Sequence, residues 1–184
     1  MRDNALAASV ARGAVLAYPT EGVWGLGCDP HNKSAVERIL TIKGRSVDEG
    51  LILLASQIEQ LNPYLVGLPS QARTELERIW PSPVTFLVPD NGFCPTWIRG
   101  SHTSVALRVT THPVVAMMTQ ALDGPVVSTS ANRSGQPALA TSKAIEEEVG
   151  QEIDGILEGE LGGTGGASEI RDLISGRVIR QASE

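Results

Sequence analysis

The sequence predicts an α/β domain built on a twisted, mixed sheet. Three observations carry that expectation. Strand-like and helix-like segments alternate along the chain, as they do when helices pack on a sheet. Residues 51–55 (LILLA) form a continuous apolar run of the kind buried on both faces of a sheet, and residues 104–109 (SVALRV) alternate. The length of 184 residues with 41% hydrophobic content is enough for one good core, so residues 1–184 are expected to form a single domain.

In chain order, Asn4 caps a short helix over residues 4–12, with Leu6 and Val10 on one face and Gly13 as its stop. The apolar run at 14–18 is a strand. It breaks at Pro19 into Thr20, Glu21 and a loop holding Gly22, Gly25 and Gly27, which are expected to supply φ freedom at the strand's carboxyl end. Asn32 or Ser34 starts a helix to about residue 42, with Val36, Ile39 and Leu40 at helical spacing and Gly44 as the stop. Ser56-x-x-Glu59 reads as a capping box for a helix over 57–65. Pro69 and Ser70 open the next helix, with Ala72, Leu76 and Ile79 inward, and Trp80-Pro81-Ser82-Pro83 imposes a rigid turn. Residues 84–88 are a strand, followed by a loop rich in Pro and Gly to residue 100. Pro113 sits in the first turn of a helix reaching about residue 121. Residues 125–127 are a short strand leading into STSANRSG, Thr141 or Ser142 caps a helix to residue 149, and residues 169–180 read as a hairpin around a two-residue turn.

The net charge of −6 argues against a surface that clamps nucleic acid throughout, though not against a local basic pocket. Cys28 and Cys94 are isolated, and His31, His102 and His112 lack metal-ligand spacing, each reading as a cap, loop or surface residue. Neither a signal peptide nor a membrane span is legible, so a cytoplasmic setting with no membrane partner is expected. No G-x-x-x-x-G-K-[ST] and no G-x-G-x-x-G opening a helix occurs, so any bound nucleotide must be met by side chains and polar loops.

Four segments carry the chemistry. Thr20 and Glu21 place a hydroxyl and a carboxylate at the mouth of the glycine-rich turn, which is either a ligand-binding loop or an ordinary connection with a solvated acid. Lys43-Gly44-Arg45 sets two cations at a helix carboxyl end, which serves either dipole complementarity or an anion site. Arg108 lies inside an apolar strand, either inward and functional or on an edge facing water. Residues 128–135 hold four hydroxyls and one amide directly after a strand, a polar turn or a cradle for phosphate or carboxylate.

In this order, Y-P-T-E with glycines, K-G-R, V-A-L-R and S-T-S-A-N with S-G-x-P closely resemble the YrdC/TsaC family, the threonylcarbamoyl-AMP synthases, in their short single-domain form. The resemblance runs over nearly the whole chain and includes the Trp80-Pro-x-Pro turn and residues 168–172 (SEIRD). It implies an open sheet with a large concave cationic cavity. It also implies a nucleotidyltransferase that joins L-threonine, bicarbonate or CO2 and ATP, with Mg2+ on the triphosphate, into threonylcarbamoyl-adenylate and pyrophosphate. The product would serve a tRNA threonylcarbamoyl transferase complex, and contact with tRNA itself is possible without being required. Residue by residue, Lys43 and Arg45 should be catalytic and bind ATP phosphates, together with Ser130 and Asn132. Ser104 and Arg180 should lie on the nucleotide side. Arg108 should take the threonine carboxylate, with Thr20, Ser128 and Ser168 lining the threonine subsite; no protein metal ligand is implied. Gly22, Trp24, Ser46 and Ser82 depart from the family's usual residues, which bears on local loop shape.

Two other readings compete. An RNA-binding module could use a basic cavity, but the acidic balance and the few aromatics (two Phe, three Trp, two Tyr) count against it. A carbamoyl-adenylate-handling module like the related domain of hydrogenase-maturation carbamoyltransferases would belong to a much longer chain with zinc-finger cysteines.

Overall fold

The structure, a computed structural model, describes residues 2–163 and 166–182. Helix α1 (Arg2–Ser9) runs into a 3-10 turn at Val10–Arg12 and ends at Gly13, in the left-handed region at φ 92°. Strands β1 (Leu16–Pro19) and β2 (Trp24–Gly27) form an antiparallel hairpin. Helix α2 (Lys33–Lys43) is capped by the Asn32 side chain, which accepts from Ala35 N, and stops at Gly44 at φ 62°. Then come β3 (Ile52–Ala55), α3 (Asn62–Leu65), α4 (Ser70–Ile79), β4 (Val84–Pro89), α5 (Thr96–Arg99), β5 (Ser104–Val109) and α6 (Pro113–Leu122). The chain continues through β6 (Val126–Ser130), α7 (Ser142–Val149), β7 (Gly155–Ile156), β8 (Glu169–Asp172) and β9 (Val178–Arg180).

Among the described residues the nine strands form one open sheet, ordered β7-β1-β2-β6-β3-β5-β4-β8-β9. It is mixed: β3/β5, β4/β8 and β1/β7 pair in parallel, and the other neighbours are antiparallel. Alternation along the strands divides its two faces. Ala17, Leu26, Leu53, Phe86, Val105, Leu107 and Val127 point to one face, where α2, α3, α4, α5 and α7 bury them. On the other face, Leu16, Tyr18, Leu54 and Val126 meet α1 with its following 3-10 turn, and α6, through Ala7, Val10, Val114, Val115 and Met118. These two helices cover only the β1, β3 and β6 end of that face. The remainder, from Gly25 and Ser130 across Ile52, Ala106 and Leu87 to Ile170, lines an open hollow.

Several expectations need correction. The glycine-rich loop is strand β2, and Gly22, Gly25 and Gly27 are all outside the positive-φ region. What Gly27 supplies is space: a Cβ there would stand 2.5 Å from the Val127 carbonyl oxygen and 2.6 Å from Tyr18 Cε1. The Tyr18 ring lies across β2 at that point, and its hydroxyl donates to Val127 O (3.2 Å) in β6. The 57–65 helix is a 3-10 turn (Ile58–Leu61) followed by α3. Its cap is Gln60, whose side-chain oxygen accepts from Ser56 N and Gln57 N, rather than Glu59. The loop before residue 100 contains α5. The strand expected at 125–127 extends through Ser130, because Gly25 and Leu26 pair with Ser130 and Thr129. The terminal hairpin turns over more than two residues and carries a bulge near Ile170 and Arg171. Strand β7 has no counterpart in the sequence reading.

Candidate active site

The hollow has a volume of about 390 Å³. It is walled by the β1–β2 turn (Thr20–Val23), residues 45–54, 98–102, β5, β6 and the segments around Ser168 and Arg180. Its charged lining is Arg45, Arg99, Arg108 and Arg180 against Glu21 and Glu49. Guanidiniums thus outnumber carboxylates in a chain whose net charge is −6.

Two of the predicted motifs meet because each satisfies the other's orphaned backbone groups. At the carboxyl end of α2, the Ile42 carbonyl accepts from Arg133 Nη1 (2.7 Å) and the Lys43 carbonyl from Ser134 N (2.9 Å). In return, Lys43 Nζ donates to Ser130 O (2.5 Å) and Asn132 O (2.6 Å) and lies 3.5 Å from Ser130 Oγ. Lys43 is 4% exposed, and burial, reinforced by Arg45 and opposed by Glu49, pushes its ammonium down to about 8. It stands behind the cavity wall, as does Asn132, whose Nδ2 donates to Gln136 O (2.5 Å) while its Oδ1 is buried without a partner among the described residues.

Arg45 reaches into the hollow. Its Nη2 donates to Gly50 O (3.0 Å), and its Nε is 3.5 Å from Glu49 Oε2. Ser46, where the resembling family commonly has proline, caps the following turn by accepting from Asp48 N. That turn fits against the 98–102 segment through two glycines. A Cβ on Gly100 would be 2.5 Å from Asp48 O, and one on Gly50 would be 2.9 Å from Arg99 O. Both are in the left-handed region, at φ 66° and 68°. This close approach adds Arg99 and His102 to the wall. Arg99 Nη1 donates to the His102 carbonyl, and its Nε is 3.0 Å from Asp90 Oδ2.

At the other end of the sheet face, Arg108 on β5 is 8% exposed and pairs with Glu21 (Nη2 to Oε2, 3.2 Å). Its Nε is buried without a partner among the described residues. Thr20 and Ser128 are also buried in this wall. The Thr20 hydroxyl donates to Val23 O (2.6 Å), closing the turn that presents Glu21. Segment 157–163 crosses outside this turn: Gly162 N donates to Thr20 O (3.0 Å), and His112 holds the Glu160 carbonyl (3.0 Å). Ser168 shares a hydroxyl contact with Thr85 (2.9 Å), and its carbonyl accepts both Nε and Nη2 of Arg180. Desolvation, and then the charges of Arg108 and Arg45, lower the Arg180 pKa.

Of the ten residues expected in the site, Thr20, Arg45, Ser104, Arg108, Ser128, Ser130, Ser168 and Arg180 line one hollow, and Lys43 and Asn132 back it. The sequence reading missed Arg99 and Glu49 as site residues; it read His102 as a cap, loop or surface residue, and His102 is indeed exposed in a loop while also lining the hollow. The signals were Gly50 and Gly100, which mark the backbone approach but resemble ordinary turn glycines. Among the described residues, no group of three or more His, Cys, Asp and Glu could hold a metal ion, and no helix is long and apolar enough to cross a membrane.

Comparison with known proteins fits this architecture. The Sua5/YciO/YrdC family profile, described as telomere recombination, matches residues 8–182. Threonylcarbamoyl-AMP synthase of Nitrosococcus oceani is 48% identical over 176 residues, covering 95% of each chain. That of Pseudomonas paraeruginosa is 49% identical over 181 residues, covering 98% of this chain and 97% of the relative. The structure of P. abyssi Sua5 complexed with L-threonine superposes with a TM-score of 0.85 at 30% identity, over 93% of this chain and 50% of that one. This chain therefore spans half of the P. abyssi protein. E. coli YciO shares the fold, with a TM-score of 0.85 at 23% identity over 98% of this chain and 89% of its own. With nearly every residue inside the matched profile and relatives almost half identical end to end, the chain belongs to the Sua5/YciO/YrdC family.

Proposed function

We propose that the chain is a threonylcarbamoyl-AMP synthase, which condenses L-threonine, bicarbonate or CO2 and MgATP into L-threonylcarbamoyl-adenylate and pyrophosphate. The observation that carries this reading is a single hollow with two kinds of anion-binding equipment. One is a buried guanidinium, Arg108, beside the hydroxyls of Thr20 and Ser128. The other is Arg45 and Ser130, backed by the Lys43 ammonium.

The chemistry asks for little beyond this. Threonine's amine and CO2 give a carbamate, which survives only where bulk water is restricted. A carbamate oxygen then attacks the α-phosphorus as the pyrophosphate oxygen leaves, a step governed by positioning and charge stabilisation. Arg108 offers two N–H groups to the amino acid carboxylate, a geometry matched by a planar guanidinium. Arg45, with the Lys43 charge behind Ser130, faces the charge that develops at the phosphoryl group. Ser104 and Arg180 complete the nucleotide side, and Ser168 the amino acid side. Asn132 shapes the 130–136 turn on which Ser130 sits. Magnesium would arrive with the nucleotide as part of the substrate, where it would offset the charge of the triphosphate.

The product would feed a transferase that places the threonylcarbamoyl group on tRNA. Supplying purified protein with isotope-labelled bicarbonate, ATP, Mg2+ and L-threonine should yield an adenylate carrying the label. An unlabelled mixture, in which the protein binds ATP yet forms no such adduct, would overturn the proposal.

A further inference from the structure

Among the described residues, Glu21 is the one carboxylate lining the amino acid side of the hollow that none of these roles uses. It is 16% exposed, and its Oε2 lies 3.2 Å from Arg108 Nη2. The backbone that presents it is fixed. Thr20 is tied on both sides, to Val23 by its hydroxyl and to Gly162 by its carbonyl. Gly162 itself lies so close that a Cβ there would be 2.9 Å from Glu21 Cα and 3.3 Å from Glu21 Cβ. A carboxylate held in a restricted site beside the guanidinium meant for another carboxylate is a problem in charge. A second anion arriving on Arg108 would meet Glu21 at close range, where like charges are costly.

Building on the synthase reading, we infer that Glu21 receives the α-ammonium of threonine. The Arg108–Glu21 ion pair is then the mould of a zwitterion. The incoming carboxylate takes Arg108, and the ammonium, joined to it through the α-carbon, takes Glu21. Each buried charge exchanges one partner for another and none is left bare. An acid without the ammonium offers nothing to Glu21 and is disfavoured.

The same pair also gives the reaction a direction. Carbamate formation from bicarbonate is R–NH3+ + HCO3− → R–NH–COO− + H2O + H+. The N–C bond forms, the bicarbonate C–OH bond breaks and leaves as water with one of the nitrogen's protons, and a second proton is released to solvent. The nitrogen substituent thereby changes from a cation that Glu21 attracts into an anion that it repels. That reversal pushes the new carbamate away from the β1–β2 turn, towards the guanidiniums lining the rest of the hollow.

The test compares binding of L-threonine with that of its hydroxy acid analogue, in which a hydroxyl replaces the ammonium, measured calorimetrically on the intact chain. Wild type should favour threonine by about tenfold to a hundredfold, the range expected for a charge-assisted contact. Glu21→Gln should shrink that ratio to about threefold or less while leaving MgATP binding unchanged. The ratio is the readout because freeing Arg108 affects both acids alike. Glu21→Asp keeps the charge and should keep the preference, with weaker binding overall; equal affinities in this variant would count against the inference. Equal affinities in wild type, or an undiminished preference in Glu21→Gln, would overturn it without reference to how well any variant folds. Adenylate formation with an unchanged preference in Glu21→Gln would sink this inference alone. Selective threonine binding without adenylate formation would sink the synthase reading and leave Glu21's role standing.

Discussion

Replacing Gly27 by alanine tests how the hairpin serves the site. The new methyl carbon would lie 2.5 Å from Val127 O and 2.6 Å from Tyr18 Cε1. Ordinary non-bonded separations between carbon atoms are about 3.5–4.0 Å, so roughly 1 Å of movement is required. Neither neighbour yields easily. Val127 is fixed in β6 by the hydrogen bond that its backbone N–H donates to Cys28 O (3.0 Å), and the fully buried Tyr18 ring is tied to Val127 by its hydroxyl. Overpacking of this kind costs about 1–3 kcal/mol. For a chain of this size each kcal/mol corresponds to about 2–4 °C in Tm, so Gly27→Ala should melt about 2–12 °C below wild type. Gly25→Ala is the control. Its methyl meets nothing closer than Thr129 O at 3.4 Å, with Ser128 Oγ at 3.5 Å. Gly25→Ala should therefore hold its Tm, or gain from the lost freedom of the unfolded chain. Because that methyl projects beside Ser128, it should instead raise the threonine KM. Thermal melts followed by circular dichroism, paired with turnover, separate the two effects. A Gly27→Ala protein as stable as wild type would refute the argument from space.

Three further outcomes follow from the site. Arg45→Ala should lower kcat by about a hundredfold or more, as removal of a preorganised charge-stabilising group does, with far-ultraviolet dichroism unchanged; wild-type turnover would remove Arg45 from the phosphoryl step. Arg108→Lys keeps the charge but not the two-pronged geometry, so its threonine KM should rise about tenfold with the ATP KM unaltered; an unchanged threonine KM would end the carboxylate assignment. Lys43 titrates in the fold at about 8 against 10.5 when solvated. Between those values the unfolded chain holds more protons, so this group makes stability rise with pH across that window, while the charge behind Ser130 is lost. Turnover should therefore decline above about pH 8, and the urea midpoint should gain stability over the same interval. Lys43→Met should show neither trend, and a wild-type rate flat to pH 10.5 would contradict a role for that charge.

Much of this was legible in the residues. The buried run at 51–55, the Asn32 and Thr141 caps and the Gly13 and Gly44 stops all report local chemistry, and the structure bears them out. Lys43, Arg45 and residues 128–135 could be grouped as one system only through the family resemblance; taken singly, each segment left a structural alternative open. Strand β2 was not legible. Gly25 and Gly27 read as turn punctuation, whereas both lie in a strand and Gly27 is glycine because the Tyr18 ring crosses it, a contact set by pairing with β1 and β6. Arg99 and His102 escaped for a similar reason. What brings them to the wall is backbone packing between residues 46–50 and 98–102, which no periodicity encodes. Lys43 was identifiable, but its burial behind Ser130 depends on the clasp between α2 and the β6 loop.

The most direct test is pyrophosphate release by purified protein with MgATP and bicarbonate, with and without L-threonine. The account predicts release that depends on threonine and is lost in Arg45→Ala. Release that is indifferent to threonine, or none from a folded protein that still binds ATP, would contradict it.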